Sequence, residues 1–197
     1  MENIKGIIFD FGGTLDSRGE HWYHVMNRAW KASGSSLTRE AYIHAERNIT
    51  PLVCLTDTML DLLTRKVALQ AQHMGTSPGD VAAHCYGYAR ECVAEVTPRL
   101  QELHSRLPLA VVSNFYGNLR AVLADYGILG LFDVVIDSAE AGVRKPDPAI
   151  FTLALGQMGL RPSEVLVVGD SVDKDIKPAA ALGCRTFLVE GKGWDED

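Results

Sequence analysis

Four short stretches of this chain carry side chains that could do chemistry together. The first is Ile7-Ile8-Phe9-Asp10-Phe11-Gly12-Gly13-Thr14-Leu15. The second is Ala110-Val111-Val112-Ser113-Asn114, and the third Ala141-Gly142-Val143-Arg144-Lys145-Pro146-Asp147-Pro148. The fourth is Val167-Val168-Gly169-Asp170-Ser171, with Asp175 one turn further on. Brought to one place, they supply an Asp, a hydroxyl, a lysine and two more Asp. Carboxylates do not gather unless positive charge lies between them. Lys145 and a divalent cation would provide that charge. Carboxylates, carbonyl oxygens and waters suit Mg2+, a hard ion that keeps part of its water shell. A carboxylate flanked by an ammonium, a metal ion and loop N–H groups faces a site for a tetrahedral oxyanion. It can act on that oxyanion as a nucleophile.

These stretches end or follow apolar runs. The expected strands are residues 5–10, 109–113, 134–137, 165–169 and 186–189. Near-continuous apolar runs are what strands buried on both faces of a parallel sheet require. Helical stretches at 119–126, 148–158 and 175–182 alternate with the last four strands and close on Gly127, Gly159 and Gly183. Glycine tolerates the left-handed position that ends a helix. The rhythm predicts an α/β fold, a Rossmann-like doubly wound parallel sheet with right-handed crossovers. Ligands of such sheets bind beyond the carboxyl ends of the strands, where the four stretches would lie.

The rhythm breaks once. Residues 11–108 contain no clear strand and read as helices near 20–32, 38–48, 56–73 and 78–95. Ser33-Gly34-Ser35-Ser36 and Gly75-Thr76-Ser77-Pro78-Gly79 are the turns between them. A structureless loop of that length is implausible, so an all-helical cap is expected over the C-terminal edge of the sheet. The organisation that follows is a Rossmann-like catalytic core of residues 1–16 and 97–197 and a helical cap of residues 17–96. The two crossings between them, around Asp16-Ser17-Arg18-Gly19 and Thr97-Pro98, are expected to let the cap move. The tail from Gly191 onward is polar and expected to fray.

Composition narrows the classes. At 197 residues, 47% apolar and 22% charged, the chain has the make-up of an ordinary globular domain with an insertion. Twenty-five acids against nineteen bases give a net charge of −6. That argues against non-specific nucleic-acid binding, which needs basic groups to neutralise phosphates, and against an anionic membrane surface. No apolar run approaches the roughly 18 residues of a membrane span. The N-terminal run Ile7-Ile8-Phe9 is too short for a secretory signal. Cys54, Cys85, Cys92 and Cys184 form no CxxC pair and read as reduced thiols of a cytoplasmic protein. Monomer and dimer both stay open.

The four motifs, in this order, resemble the haloacid dehalogenase superfamily, whose members are mostly phosphatases and phosphomutases. The resemblance covers nearly the whole chain, core and inserted cap alike. It implies that Asp10 is the nucleophile and forms an aspartyl-phosphate. It implies that Asp10, the Gly12 carbonyl and Asp170 ligate Mg2+, with Asp175 supporting the metal or Lys145. Ser113 would hydrogen-bond the phosphoryl group, Gly13 and Asn114 would bind it through their N–H groups, and Lys145 would neutralise its charge. The activity implied is Mg2+-dependent hydrolysis of a small phosphorylated metabolite.

One position departs from the pattern. The superfamily's phosphatases carry a second Asp two residues after the nucleophile, to protonate the leaving group and then activate water. This chain has Gly12 there. General acid–base catalysis is worth about 10²–10⁴-fold in rate, and glycine cannot supply it. Two alternatives follow: a fold-retaining protein with little turnover that binds a ligand or partner, and a hydrolase whose leaving group needs no proton, such as an acyl phosphate or a halide. The related dehalogenases lack that Asp, and phosphonate hydrolases replace its work with a cap lysine that forms a Schiff base; here Lys31 and Lys66 are the cap lysines on offer. His21 and His24 share a helix face at i, i+3 spacing. They read as packing, or as a replacement acid reaching down from the cap.

Overall fold

The computed structural model describes residues 4–196; residues 1–3 and residue 197 lie outside the description. Five parallel strands form one sheet, β1 (Gly6–Phe9), β2 (Leu109–Ser113), β3 (Val134–Asp137), β4 (Val165–Gly169) and β5 (Arg185–Leu188), in the order β3-β2-β1-β4-β5. The chain builds outward from β1 to one side and then crosses to the other. The switch point of the sheet therefore lies at β1, between β2 and β4, and a crevice opens there at the strand ends. Phe9 sits level with Val111 and Val168, and the Asp10 N–H donates to the Val168 carbonyl at 2.9 Å.

Alternation sorts the two faces. Ile7 and Phe9 pack with Val111 and Val135 on one side, while Ile8 packs with Ala110, Val112, Val165 and Val167 on the other. Helices α7 (Ala149–Met158) and α8 (Lys177–Ala181) cover the second face through Phe151, Leu155 and Ala179. The expectation of burial on both faces fails for β5. It is one of two edge strands, with Phe187 59% exposed, whereas the other edge strand, β3, is buried throughout; β5 also lies one residue earlier than its apolar run suggests.

The inserted helices are α1 (Trp22–Ala32), α2 (Arg39–Asn48), α3 (Met59–Met74) and α4 (Val81–His104). The Thr58 and Asp61 side chains form a reciprocal capping box at the start of α3, and Gly75 ends it at φ 66°. Trp30 is fully buried, with its indole N–H on Gln70 Oε1 at 2.8 Å. It joins Met26, Leu62, Leu63 and Val67 in one apolar cluster continuous with Ile7, Phe9 and Val111 of the sheet. Burying each large apolar side chain contributes about 1.5–3 kcal/mol, so the inserted helices share one apolar core that runs on into the sheet.

One expectation about the crossings changes, and one gains a second reason. Helix α4 does not stop near residue 95 but runs unbroken through Thr97-Pro98 to His104. Pro98 lacks an N–H for the preceding turn, and the Thr97 hydroxyl donates to the Val93 carbonyl at 2.7 Å. At the other crossing Gly19, at φ 80°, donates its N–H to the Gly13 carbonyl at 2.6 Å. A Cβ there would meet the Glu190 carbonyl oxygen at 2.7 Å. Close approach, as well as freedom of dihedral, calls for this glycine.

The tail does not fray within the described residues. The carbonyls of Lys192, Gly193 and Trp194 accept from the His21 N–H, the His24 ring and Arg39 at 2.8, 2.8 and 2.7 Å. Trp194 packs edge-on against His21 and Tyr23, and the Arg39 guanidinium lies 4.7 Å from its ring centre. Helix α5 (Leu119–Asp125) follows β2, and the short α6 (Ser138–Ala141) follows β3. No helix among the described residues is long and apolar enough to cross a membrane. All four cysteines are free thiols, and only Cys54 is exposed.

Candidate active site

Asp10 stands directly after β1 at the switch point and is 6% exposed. Lys145 reaches it from the segment before α7. Its ammonium donates to Asp10 Oδ1 and to Asp175 Oδ1, each at 2.6 Å. Asn114, at the end of β2, fixes the lysine's backbone. Its side chain donates to the Lys145 carbonyl at 2.9 Å and accepts the Lys145 N–H at 2.8 Å. Asp175 rides on a π-helical turn, Val172–Ile176, and accepts the Ser171 N–H through Oδ2 at 3.1 Å. Both its oxygens are therefore engaged, one on the lysine and one on its own turn.

Asp170, at the end of β4, completes the cluster. One oxygen each from Asp10, Asp170 and Asp175 lie within 4.8 Å of one another. The Thr14 hydroxyl sits between the first two, 3.2 Å from Asp170 Oδ1 and 3.4 Å from Asp10 Oδ2. Gly13 runs at φ 102°, and a Cβ on it would lie 2.5 Å from Asp170 Oδ2. Gly13→Ala should therefore push Asp170 aside and strain the loop. We expect loss of metal affinity together with a lower melting temperature; an alanine variant that keeps wild-type metal affinity would contradict this packing.

Three carboxylates share one ammonium, which leaves excess negative charge in a buried place. Burial, then the charges of Asp10 and Asp175, push the Asp170 carboxyl up to about 7. Burial and Asp10 also raise Asp175, against the pull of Lys145. Burial works against the Lys145 ammonium, but Asp10 and Asp175 outweigh it and its pKa rises. The donor set is all oxygen and short of positive charge, so it fits a hard divalent cation of the Mg2+ kind.

This balance gives a pH dependence. The folded pKa of Asp170 lies above its ordinary value of 3.8, so the metal-free folded chain keeps a proton that the unfolded chain releases. Stability without metal should fall as pH rises from about 4 through about 7 and level off beyond. Mg2+ competes with that same proton, so its affinity should climb between about pH 6 and pH 8. Calorimetric titrations at the two pH values test this; equal affinities would count against Asp170 as a ligand.

The cluster forms the floor of a cavity of about 890 Å³. Gly12, Gly13, Ser113 and Asn114 line it beside the carboxylates. A Cβ built on Gly12 meets nothing within 4 Å, and Gly12 is not among the glycines at positive φ. The position is therefore open and unstrained. The cap wall includes His21, Tyr42, Glu46 and Lys66. Burial first, then Lys174, push the His21 imidazole down to about 4, and its Nδ1 accepts the Tyr23 N–H at 3.2 Å. His24 turns to the Gly193 carbonyl and does not line the cavity. Lys31 is exposed on the outside of the cap. Lys66 is 8% exposed, with its ammonium on Glu46 Oε1 and the Tyr116 hydroxyl, both at 2.7 Å. The Tyr116 hydroxyl in turn donates to Glu46 Oε2.

Two contributors escaped the sequence reading. Thr14 was in view four residues after Asp10, the signal that could have found it. Asp16 is fully buried and accepts from the Gly13 N–H at 2.8 Å and the Trp22 indole at 2.9 Å. Burial pushes its carboxyl up to about 7 against those two hydrogen bonds. It braces the loop that carries Gly12 and Gly13.

Residues 4–183 match the haloacid dehalogenase-like hydrolase family. The chain is 46% identical over 190 residues to a phosphoglycolate phosphatase of Pectobacterium atrosepticum, covering 93% of this chain and 79% of that one. It is 45% identical over 85 residues to the bovine (Bos taurus) haloacid dehalogenase-like hydrolase domain-containing protein 3. That match covers 43% of this chain and 34% of the relative, so the chain spans about a third of that relative's length. Among solved structures, L-2-haloacid dehalogenase from Xanthobacter autotrophicus superposes with a TM-score of 0.60 at 22% identity, over 98% of this chain and 80% of that one. With its family match across nearly its whole length and a parallel sheet that gathers the four motifs, the chain belongs to the haloacid dehalogenase-like hydrolase family.

Proposed function

We propose that this chain is a Mg2+-dependent phosphohydrolase of small phosphorylated metabolites, working in the cytoplasm through an aspartyl-phosphate on Asp10. The observation that carries the reading is the Lys145 ammonium held between Asp10 and Asp175 on the floor of the cavity, with Asp170 beside them. In this reading residues 1–16 and 97–197 are the catalytic core and residues 17–96 the cap that selects the substrate. Asp10, Asp170 and the Gly12 carbonyl would hold the ion, with Asp175 supporting them. When bound, the ion would supply charge that orients and neutralises the phosphoryl oxygens.

An Asp10 carboxylate oxygen attacks phosphorus, and the bond from phosphorus to the leaving oxygen breaks with its electron pair going to that oxygen. Lys145, the Ser113 hydroxyl and the Asn114 N–H bind the phosphoryl oxygens as charge builds on them; the Gly13 N–H, expected to join them, is instead committed to Asp16 at 2.8 Å. Water then attacks phosphorus, the bond from phosphorus to the Asp10 oxygen breaks with its electron pair returning to the carboxylate, and the water's proton departs on the released phosphate. Gly12 itself has no side chain to give or take a proton in either step, and no atom stands within 4 Å of where its Cβ would be. That observation favours a narrower reading, in which the leaving group departs as a stable anion, as from an acyl phosphate.

Turnover of acetyl phosphate, nitrophenyl phosphate and glycerol phosphate, with and without Mg2+, tests both readings. We expect metal-dependent hydrolysis of the first two, about 10²-fold or more above the third, reflecting the missing acid. Equal rates on all three would mean that another group acts as the acid. Silence on all three would favour a fold-retaining binding protein. Asp10→Asn should abolish turnover without unfolding the chain.

A further inference from the structure

The rim of the cavity carries a charge pattern that the phosphoryl chemistry leaves unused. Five lysine and arginine side chains line the cavity, Arg47, Lys66, Arg144, Lys145 and Lys174. Lys145 is paired with Asp10 and Asp175, and Lys66 with Glu46. Arg47, Arg144 and Lys174 take part in no ion pair among the described residues. The neighbouring acids that could neutralise them are committed elsewhere. Glu46, next to Arg47, accepts from Lys66 and Tyr116. Asp173, next to Lys174, pairs with Lys177 at 2.6 Å.

The three cations come from three separate places: the C-terminal part of α2 in the cap, the segment between α6 and α7, and the π-helical turn. They therefore face the cavity from both the cap and the core. On the floor, one ammonium and a divalent cation together balance three carboxylates. The three rim cations stand outside that balance, with no acid paired to them among the described residues. Arg47 and Arg144 can each offer a planar fork suited to a carboxylate or a phosphate.

We propose that this rim is a second anion subsite, and that the substrate is a phosphorylated compound with a second anionic group, carboxylate or phosphate, at its far end. The proposal rests on the phosphohydrolase reading. The distal anion would lie between Arg47 of the cap and Arg144 and Lys174 of the core, so its binding would draw the two together.

Non-hydrolysable phosphonates test it without turnover. Calorimetry with saturating Mg2+ compares propylphosphonate, which has one anionic group, with 3-phosphonopropionate and propane-1,3-diphosphonate, which have two. Ionic strength is held at one value, because exposed charges are screened by salt. We expect one of the two-anion ligands to bind about tenfold or more tightly than propylphosphonate. The combined variant Arg47→Met, Arg144→Met, Lys174→Met should erase that preference. All three residues are exposed, so the variant should fold, and its melting curve checks this. Its affinity for propylphosphonate should stay within about twofold of wild type, because the floor is untouched.

The two-anion ligand that wins identifies the distal group. No preference in wild type, or a preference that survives in the variant, overturns the proposal. So does a variant that weakens all three ligands equally, since the rim would then only attract anions in general. If neither propylphosphonate nor inorganic phosphate binds at all, the phosphohydrolase reading itself fails and takes the proposal with it.

Discussion

Replacing Lys145 with methionine should lower kcat/KM by at least about 10²–10³-fold, the cost of removing one charged donor from a transition-state oxyanion. It should also destabilise the metal-free chain. The ammonium is 4% exposed and lies between carboxylates that are 6% and 1% exposed. Removing one partner of a buried ion cluster leaves uncompensated charge, at a cost of about 3–5 kcal/mol. The two effects separate on adding metal. Mg2+ should restore much of the melting temperature, because it supplies the missing positive charge, but should not restore the rate. A methionine variant with wild-type kcat/KM would show that the lysine only holds the loop together.

Gly12→Asp should move activity the other way. With no atom within 4 Å of the added Cβ and no positive φ at this residue, the carboxylate can be built without backbone strain. On alkyl phosphates, whose leaving groups need a proton, the rate should rise by as much as about 10²–10⁴-fold. On acetyl phosphate or nitrophenyl phosphate it should change little. A plot of log rate against leaving-group pKa should therefore be steep in the wild type and shallow in the variant. Parallel plots would mean that Gly12 is not where this chain lacks its acid.

The sheet and its rim were legible because each strand is a short apolar run and each motif ends or follows one. Parallel strands put all their carboxyl ends on one edge, and that brings Asp10, Ser113 and Asp170 together; the order that makes β1, β2 and β4 central is seen only in the structure. Helix α4 was not legible, because Thr97-Pro98 reads locally as a stop. Its continuity comes from tertiary packing of Val93 and Leu100, both buried on either side of the proline. The contact of Lys66 with Glu46 and Tyr116 joins residues from α2, α3 and the loop after β2. No periodicity encodes such a meeting. The docked tail was missed for a related reason. A polar composition suggests fraying, but Trp194 finds an aromatic surface assembled from α1 and α2. Gly12 and Gly13 are alike in the sequence, yet the positive φ falls on Gly13 and the open space on Gly12.

The unbroken α4 has a mechanical consequence. Its 24 residues form a rod about 36 Å long at 1.5 Å rise per residue. The rod is anchored in the core at one end and in the cap at the other. If the cap moves as expected, such a rod would act as a lever and not as a hinge between two loose flaps. A tilt of only about 5° at the core end would carry the far end by about 3 Å over that length. Pro98, where one rung of the helical ladder is missing, is the compliant point at which the rod can flex. Any opening and closing of the cavity would then be a question of bending stiffness. Pro98→Ala should stiffen the rod and slow ligand exchange, which stopped-flow binding of vanadate can time, while leaving every group on the cavity floor in place.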